Sequence, residues 1–493
     1  MNEQIVNTSF PESKQMRFEV SAIDREGFAK LRSLEEEPMP SCMKGVRMAP
    51  LLVGEQVQAT FVRQVHPRNN NGEGKKRLFL HSWQRTKDAS ERIPSQCPHF
   101  GSCGGCRLQH IPYSSQAKQK ENWVRGLFST FSIVPEPILE PQQVWHYREK
   151  MQLTFNQDRH GTQRIGLYGL VAKRKVIDLE RCDLFDPHFS VLLASVRRWW
   201  AIHPVEAYNA AHHRGDLRTI TVRRGKSTEG KATWILMLTL SNPISEETEP
   251  AIRAWEEAMH LFAAEVNVEV GLYTQIHFAE KGKRTTFTLE HRSGPKTTTA
   301  TLQLGTTEKK EVTFAIGPTS FFQPNPQQAQ AIFDLLGSWM EPLKIQRCLD
   351  LYCGTGTLTL VAALSGVRDA VGVEVNAEAV EIAKQVATSA KISNVTFYAE
   401  EVGTFLKKSK DTFDCLILDP PRAGMGEQAS KSAVTIGAAH IFYLSCNPKT
   451  QVEDLKFFVD AGYSIEKVRS IDQFPHTLHV ENLVYLKKQS LSV

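Results

Sequence analysis

The final third of the chain, from about residue 340, alternates short apolar runs with helical patterns. Helices are predicted at residues 358–364 and 377–391, and strands at residues 347–351, 370–374, 395–398, 414–418, 441–444, 463–468 and 481–485. Strand, helix and strand in repeated order restrict a chain to a parallel sheet with helices on both faces. The sequence therefore predicts a doubly wound α/β domain over residues 312–493, with ligands at the carboxyl edge of its strands.

A glycine-containing turn follows the first of these strands, in the order Tyr352-Cys-Gly354-Thr-Gly356-Thr357. Glycines let a cofactor approach the backbone, and Glu374, at the end of the next strand, is placed to accept ribose hydroxyls. A bare Gly-x-Gly leaves NAD as an alternative. Against NAD stand Asp350 before the turn, the lack of a third glycine in register, and Asp419-Pro-Pro-Arg422. Asp-Pro-Pro after an apolar strand resembles the substrate-facing motif of S-adenosylmethionine-dependent methyltransferases.

Another apolar run stops abruptly at Cys446, which Asn447-Pro448 follows. A buried strand that ends in turn residues places this thiol at the carboxyl edge of the sheet. The alternative is an ordinary buried cysteine, because free cysteine is among the most buried residue types. The choice depends on what else the sequence brings to that edge.

The first 88 residues show short strand patterns at residues 17–23, 27–31, 54–63 and 76–80. Several short strands with turn signals predict a small closed β-barrel. Its basic residues greatly outnumber acids outside residues 35–37, and they are Lys30, Arg32, Lys44, Arg47, Arg63, Arg68, Lys75, Lys76 and Arg77. Basic barrels of this size often bind nucleic acid along one face, although a merely solvated surface is an equal alternative.

Three closely spaced cysteines, Cys97, Cys103 and Cys106, predict a metal or cluster site in an α+β region over residues 89–311. Cys182 is the best candidate for a fourth ligand. Four thiolates fit zinc or an iron–sulfur cluster. Zinc ribbons generally use two Cys-x-x-Cys pairs, whereas here a five-residue gap precedes a two-residue gap, which favours a [4Fe–4S] cluster.

Composition excludes several classes of protein. The chain has 493 residues, 41% hydrophobic and 23% charged, and its formal charge of +5 permits a polyanionic partner without requiring one. Nine cysteines, an odd number in a long chain, argue against a secreted disulfide framework. No apolar run is long enough to span a bilayer, and no basic-plus-apolar leader opens the chain, so we expect a cytoplasmic protein without membrane partners.

In combination, these motifs resemble the RNA 5-methyluridine (uracil-C5) methyltransferases, specifically their iron–sulfur-containing ribosomal-RNA branch. The resemblance covers nearly the whole chain, and residues 1–88 also resemble a TRAM domain, an OB-like RNA-binding module. It rests on Cys97-x5-Cys103-x2-Cys106 with Cys182, Phe321-Phe-Gln323-Pro-Asn325, Asp350-Leu-Tyr-Cys-Gly-Thr-Gly356, Asp419-Pro-Pro-Arg-Ala-Gly424, Ser445-Cys446-Asn447-Pro448 and Phe474-Pro-His-Thr-Leu-His-Val-Glu481.

The resemblance implies a Rossmann-like methyltransferase domain, with Cys446 as the nucleophile and Glu481 as the base. Phe321 and Asp419 match positions near the target base. Cofactor contacts are implied for Gln323, Tyr352, Thr357, Glu374, Glu401 and Asp419, although Ala399-Glu-Glu401 departs from the family's Asn or Asp. The implied cofactors are S-adenosylmethionine and a [4Fe–4S] cluster, and the implied partner of a monomeric enzyme is RNA, expected to be 23S ribosomal RNA.

Other functions remain open at this point. The transfer-RNA branch usually lacks the cluster, so the choice between the two RNAs rests on the cysteines. An Asp-Pro-Pro methyltransferase that acts on an exocyclic amine would not need Cys446. A non-catalytic iron–sulfur RNA-binding protein would not need the cofactor pocket.

Overall fold

The computed structural model describes residues 13–36, 40, 43, 46–65, 76–171, 175–279 and 285–489. Two compact units divide the chain. The first comprises Met1–Pro112, Tyr168–Lys175 and His476–Leu478, and the second comprises Tyr113–Leu167, Val176–Pro475 and His479–Val493. Lys44, Arg68 and Lys75, which belong to the predicted basic face, lie outside the described residues.

The first unit contains an antiparallel sheet of four strands in the order β2-β1-β3-β4. Alternate residues of β1, namely Met16, Phe18 and Val20, are buried against Val57 and Phe61 of β3. This period of two is what a strand with one buried face requires. The strands are β1 (Ser13–Ile23), β2 (Ala29–Ser33), β3 (Gln56–Val65) and β4 (Lys76–Lys87).

The four predicted strands are therefore present, but the predicted closed barrel is not confirmed. In the described part of the chain β2 pairs only with β1 and β4 pairs only with β3, so the sheet is open at both edges. Strand periodicity reports which face is buried, and it carries no information about whether the first and last strands pair. The OB-like architecture stays a prediction.

The second unit contains a sheet in the order β12-β11-β10-β9-β6-β7-β8, with the β13–β14 hairpin attached through β9. Helices α2 (Phe189–Ile202) and α3 (Glu249–Glu265) bury Trp199, Trp200 and Trp255. The strands are β6 (Lys150–Gln157), β7 (Gln163–Tyr168), β8 (Val176–Asp178), β9 (Leu217–Lys226), β10 (Ala232–Leu240), β11 (Glu269–Phe278), β12 (Thr286–Ser293), β13 (Thr298–Leu304) and β14 (Lys310–Ile316).

A second sheet in this unit has the order β17-β16-β15-β18-β19-β21-β20-β5. Its strands are β5 (Glu136–Leu139), β15 (Arg347–Leu351), β16 (Asp369–Glu374), β17 (Val395–Ala399), β18 (Cys415–Leu418), β19 (His440–Ser445), β20 (Tyr463–Ile471) and β21 (Glu481–Lys488). The helices around it are α1 (Tyr113–Phe128), α4 (Pro326–Met340), α5 (Thr357–Leu364), α6 (Ala377–Ser389), α7 (Val402–Lys408), α8 (Gly426–Thr435) and α9 (Pro448–Asp460), with 3-10 turns at Ser129–Phe131 and Glu341–Leu343.

This second sheet is doubly wound, as predicted. Alternate residues of one strand enter different cores: Ile417 of β18 joins the core that contains α4 and α5, whereas Leu416 and Leu418 join the core that contains α1 and α9. Both faces of the sheet are therefore covered by helices, which explains the continuous apolar runs of its central strands.

The prediction of an entirely parallel sheet is wrong at one strand. β15, β16, β17, β18 and β19 are parallel, but β21 runs antiparallel to both β19 and β20. Residues 472–480 join β20 to β21 without a helix. A parallel connection needs a crossover of about a dozen residues or more, so this shorter one reverses the chain. No helix of the described residues is both long and apolar enough to cross a membrane.

Candidate active site

The predicted site residues converge on one edge of the doubly wound sheet. β15, β16, β18 and β19 run parallel, so the segments that follow them lie at the same edge, and antiparallel β21 begins there. These positions are occupied by Tyr352, Glu374, Asp419, Cys446 and Glu481. The order 17-16-15 followed by 18-19 also reverses direction beside β15, and such reversal points are where open α/β sheets bind ligands.

The turn after β15 is tied to the end of β16 by Glu374. The backbone N–H of Gly354 donates to Glu374 Oε2 at 3.2 Å, and the N–H of Asn376 donates to Oε1 at 2.9 Å. Gly356 has φ +78°, and a Cβ there would lie 2.7 Å from the Phe397 ring and 2.9 Å from Ala383. Only glycine therefore fits at position 356, whereas a Cβ at Gly354 would meet no atom within 4 Å.

Asp350 lies beneath this turn as a buried carboxyl group. Thr359 Oγ1 donates to its Oδ2 at 2.6 Å, while its Oδ1 has no hydrogen-bond partner in the described part of the chain. Burial raises the pKa of Asp350 to about 8, with Asp419 and Glu374 adding to the shift. Thr357, the first residue of α5, follows the same turn.

Asp419 directly follows β18, and burial raises its pKa to about 7. The loop after it is anchored by Asp454 of α9, whose carboxylate accepts from the backbone N–H groups of Met425 at 2.8 Å and Gly426 at 3.0 Å. Tyr443 also donates to Asp454 at 2.6 Å. The loop thus takes its position from a buried acceptor on a helix outside the motif.

Cys446 and Glu481 come together through strand register. Ser445, the last residue of β19, pairs with Asn482 of β21, so Cys446 directly follows one member of this pair and Glu481 directly precedes the other. The two side chains are close enough for Glu481 to raise the pKa of Cys446. Glu481 is buried and Cys446 is half-buried.

The surroundings of Cys446 and Glu481 favour the protonated form of both side chains. Burial, with smaller contributions from Glu481 and Asp419, raises the pKa of Cys446 to about 11, and Arg422 acts in the opposite direction. Burial also raises the pKa of Glu481 to about 8, with Asp419 adding and Arg422 opposing. Strongly shifted groups in one cleft are typical of functional sites. Arg422 itself lies 3.1 Å from His479, Nη2 to Nδ1.

A buried polar network fixes the β19–β21 corner that carries this pair. Asn482 Nδ2 donates to Gln451 Oε1 at 2.7 Å, and Ser470 donates to Asn482 Oδ1 at 2.9 Å. Gln451 Nε2 in turn donates to the carbonyl of Tyr443 at 2.8 Å. Satisfied networks of this kind restrict the strands to one arrangement.

The segment of residues 472–475, which precedes Glu481, is held by side chains from α1 and α4. Lys120 donates to Asp472 Oδ1 at 2.6 Å and Tyr113 donates to Oδ2 at 2.9 Å, and both Lys120 and Asp472 are buried. Gln328 Nε2 donates to the Asp472 carbonyl at 3.1 Å. Gln323 contacts the same segment, since its Oε1 accepts from Gln473 Nε2 at 3.2 Å.

Two other predicted residues are less enclosed. Phe321 has 69% of its surface exposed, so its ring is available to a ligand from outside. Glu401 is the N-cap of α7, where it accepts from the backbone N–H groups of Gly403 at 2.9 Å and Thr404 at 2.7 Å. These hydrogen bonds lower the pKa of Glu401.

Sequence reasoning missed several residues that position the site: Lys120, Gln451, Asp454, Asp472, Gln473 and Asn482. Asp472 and Gln473 directly follow β20, so a search of all predicted strand ends could have found them. Asp454 and Gln451 carry no such signal. Each lies on the buried side of α9, where sequence periodicity predicts an apolar residue.

The predicted cluster cysteines are divided between the units. Cys97, Cys103 and Cys106 belong to the first unit and Cys182 to the second, and none of the eight described cysteines forms a disulfide. Among the described residues no group of three or more His, Cys, Asp or Glu side chains is arranged to hold a metal. In the three-cysteine loop the Gly105 N–H donates to Cys103 Sγ at 3.4 Å, and burial raises the pKa of Cys103, with Cys97 adding to the shift.

The chain is similar to known proteins over most of its length. Residues 296–489 match a family described as tRNA (uracil-5-)-methyltransferase. An uncharacterized RNA methyltransferase of Protochlamydia amoebophila is 34% identical over 412 residues, which cover 81% of this chain and 92% of the relative. One from Chlamydia pneumoniae is 31% identical over 401 residues, with 80% and 98% covered.

A solved structure shares the fold. The tRNA (uracil-54, C5)-methyltransferase of Pyrococcus abyssi, in complex with S-adenosyl-L-homocysteine, gives a TM-score of 0.68 over 96% of this chain and 99% of that chain. The two sequences are 22% identical, so this likeness concerns the fold alone.

Proposed function

Because the chain belongs to the RNA uracil-C5 methyltransferase family and is an RNA methyltransferase, we propose that it methylates C5 of uridine in RNA. In this proposal Cys446 is the nucleophile and Glu481 is the base. The observation that carries it is that β19 and β21 pair up to Ser445 and Asn482, and that the half-buried Cys446 thiol just beyond this pair is close enough to the buried Glu481 carboxyl group for Glu481 to raise its pKa.

The reaction explains why both residue types are needed. C5 of uracil is too weak a nucleophile to accept a methyl group unaided, and S-adenosylmethionine, when bound, supplies an electrophilic sulfonium methyl. The thiolate of Cys446 adds to C6, and the electron pair of the C5–C6 bond then becomes available at C5. After C5 has taken the methyl group, Glu481 removes the C5 proton, and the Cys446–C6 bond breaks to restore the ring and the thiolate.

The raised pKa of Cys446 means that the free protein holds a thiol at neutral pH. Ionisation of the Cys446 thiol therefore has to accompany binding of the uracil. The thiol proton leaves to solvent and Arg422 favours the thiolate that remains, so that Glu481, in its carboxylate form, stays available for the C5 proton. The uracil has to leave its stack to reach a pocket at the sheet edge, so we expect a flipped or unpaired nucleotide.

Gly354, Gly356 and Glu374 form the expected cofactor cradle. Glu374 keeps lone pairs for ribose hydroxyls while it holds the turn, and the glycines admit the cofactor to the backbone. Tyr352, Thr357, Gln323 and Asp419 complete the proposed contacts, and Phe321 offers an exposed ring to the target base.

We propose 23S ribosomal RNA as the substrate and an iron–sulfur cluster at Cys97, Cys103 and Cys106. Both rest on the cysteine loop and on the family branch that it resembles, and Cys182 as fourth ligand stays a prediction. The expected result is iron and acid-labile sulfide in the purified chain, lost in Cys103→Ser and retained in Cys348→Ala, whose thiol is buried in β15. Purified wild-type chain without iron would refute the cluster.

The decisive experiment uses RNA that contains 5-fluorouridine. Fluorine at C5 cannot leave as a proton, so the enzyme should stall as a covalent adduct through Cys446. Denaturing electrophoresis should show this adduct with ribosomal RNA, depending on S-adenosylmethionine, and peptide mapping should place it on Cys446.

The matched control pairs Cys446→Ala, which should form no adduct, with Cys348→Ala, which should retain it. Retained methylation by Cys446→Ala would overturn the mechanism and favour an amine methyltransferase. An adduct with transfer RNA instead of ribosomal RNA would refute only the proposed substrate.

A further inference from the structure

We propose that Gln473 is a positioning residue that orients the side-chain amide of Gln323, so that the NH2 group of Gln323 faces the ligand and donates to an oxygen. This inference deepens the proposed function, because it assigns the polarity of one of the proposed ligand contacts. It rests on two neighbouring hydrogen bonds of Gln473, at 3.2 Å to Gln323 Oε1 and at 3.4 Å to the carbonyl of Asn325.

The carbonyl of Asn325 decides the orientation of both amides. A carbonyl oxygen only accepts hydrogen bonds, so the Gln473 atom next to it is the nitrogen. The same nitrogen approaches Gln323, whose facing atom is therefore the oxygen. The amide nitrogen of Gln323 is left on the other side. It is not buried, and it has no acceptor in the described part of the chain.

The backbone around Gln473 holds this orientation in place. Asn325 Nδ2 donates to the carbonyl of Gln473 at 3.1 Å, so side chain and main chain of Asn325 both hold Gln473. The preceding residue, Asp472, is fixed by Lys120 and Tyr113. Gln473 is fully buried and lies two residues beyond Ile471, the partner of Glu481 in the β20–β21 register.

The side-chain oxygen of Gln473 indicates that this residue orients Gln323 and does not merely fill space. Its Oε1 is buried and has no hydrogen-bond partner among the described residues. Burying such an acceptor costs free energy, and an apolar side chain of similar size would avoid that cost. The NH2 group, by contrast, is used twice, and only an amide supplies it at this position.

The ligand group that fits is an oxygen that accepts a hydrogen bond. The carboxylate of the cofactor and the C4 carbonyl of uracil both offer one. An NH2 donor excludes the C4 amino group of cytosine from the same contact, because two donors would face each other.

Three substitutions in the full chain test this inference. Gln323→Glu keeps an oxygen for Gln473 but replaces the outward donor with an acceptor. Gln473→Glu removes the donor that orients Gln323. Gln473→Met removes the amide while nearly conserving volume. Gln346→Glu, at an exposed glutamine on the opposite end of β15, serves as the charge control.

Two measurements separate the possible sources of the oxygen. Calorimetric binding of S-adenosyl-L-homocysteine reports the cofactor carboxylate, and the split between KM and kcat for RNA, on uridine and cytidine targets, reports the base. We expect Gln323→Glu and Gln473→Glu to lower either the affinity for S-adenosyl-L-homocysteine or kcat/KM for RNA by roughly tenfold or more. Gln473→Met should have an intermediate effect, and Gln346→Glu should have none.

Wild-type values of both quantities in Gln323→Glu would overturn the inference. The inference would also be overturned if the loss of binding or activity in Gln473→Glu only reflected a less stable protein. Gln328→Met is the control for this case, because it removes a hydrogen bond to the same segment without touching Gln323. An equal loss in Gln328→Met at an equally lowered melting temperature would be that result. Failure of the proposed function is a different result, since it would appear as wild-type protein that makes no 5-methyluridine, whatever its affinity for S-adenosyl-L-homocysteine.

Discussion

At the scale of a single residue, the burial of Glu481 conflicts with its proposed role as a base. The proposed base has to be deprotonated before it can take the C5 proton, but this carboxyl group is buried near Asp419. Its pKa is therefore raised from 4.5 to about 8. The folded chain binds the proton more tightly than the unfolded chain does, so the stabilisation is present at low pH and is lost as pH rises through about 8.

We predict that Glu481→Gln inactivates the enzyme and stabilises the fold at high pH. The amide of the variant stays neutral at every pH. The unfolding free energy of Glu481→Gln minus that of the wild type should therefore be about 2–3 kcal/mol larger at pH 8.5 than at pH 5.5. Product formation should fall about 10²–10⁴-fold, and methylated RNA should accumulate as a Cys446 adduct.

Chemical denaturation at the two pH values and denaturing electrophoresis check these outcomes. Glu466→Gln, at an exposed acid on β20, is the control and should change neither quantity. A pH-independent difference for Glu481→Gln would contradict the raised pKa.

At the scale of elements, helix α1 holds the segment that precedes Glu481. Lys120 and Asp472 form a buried ion pair at 2.6 Å, whereas Arg125 and Glu121 of the same helix form an exposed one at 2.6 Å. Removing one partner of a buried pair leaves an uncompensated charge. Removing one partner of an exposed pair does not, because water and salt screen the remaining charge.

We predict that Lys120→Met lowers the unfolding free energy by about 3–5 kcal/mol, and Arg125→Met by less than about 1 kcal/mol. Denaturant titration of the full chain measures both. At low temperature, where Lys120→Met stays folded, its activity per folded molecule should still be lower than that of the wild type, because residues 472–475 lose their hydrogen bond from Lys120. Equal effects of the two substitutions would show that the buried pair does not hold this segment.

Elements also show where sequence patterns are insufficient. The strands of the β2-β1-β3-β4 sheet, and those of the doubly wound sheet except β5, were predictable because burial imposes a period of two, or a continuous apolar run, on each strand separately. The reversal at β21 and the open edges of the β2-β1-β3-β4 sheet depend on which strands become neighbours. That choice depends on the lengths of connections and on distant packing, which no single strand records.

At the scale of the whole molecule, one chain has to bind a polyanion and a small cofactor. Fifty-nine Lys and Arg residues exceed 54 Asp and Glu residues by only a small margin. We predict that RNA affinity falls steeply between 50 and 200 mM salt, because counterions are released when lysine and arginine contact phosphates. Affinity for S-adenosyl-L-homocysteine should change little over the same range.

Filter binding and calorimetry across a salt series test this prediction. RNA binding that does not respond to salt would mean that base contacts, and not phosphate contacts, supply the affinity. The control is Gln346→Glu, which adds an exposed negative charge away from the carboxyl edge and should leave the salt slope unchanged.

The sequence by itself determined the doubly wound class, the strand ends that carry Tyr352, Glu374, Asp419 and Cys446, and the family resemblance. It could do so because strand ends and glycine turns are local features whose chemistry is written in consecutive residues. Only the tertiary structure decided that β21 returns antiparallel and thereby sets Glu481 beside Cys446. It also decided that Lys120, Gln451, Asp454 and Gln473 serve the site, because buried polar contacts between distant segments leave no periodic trace in a sequence.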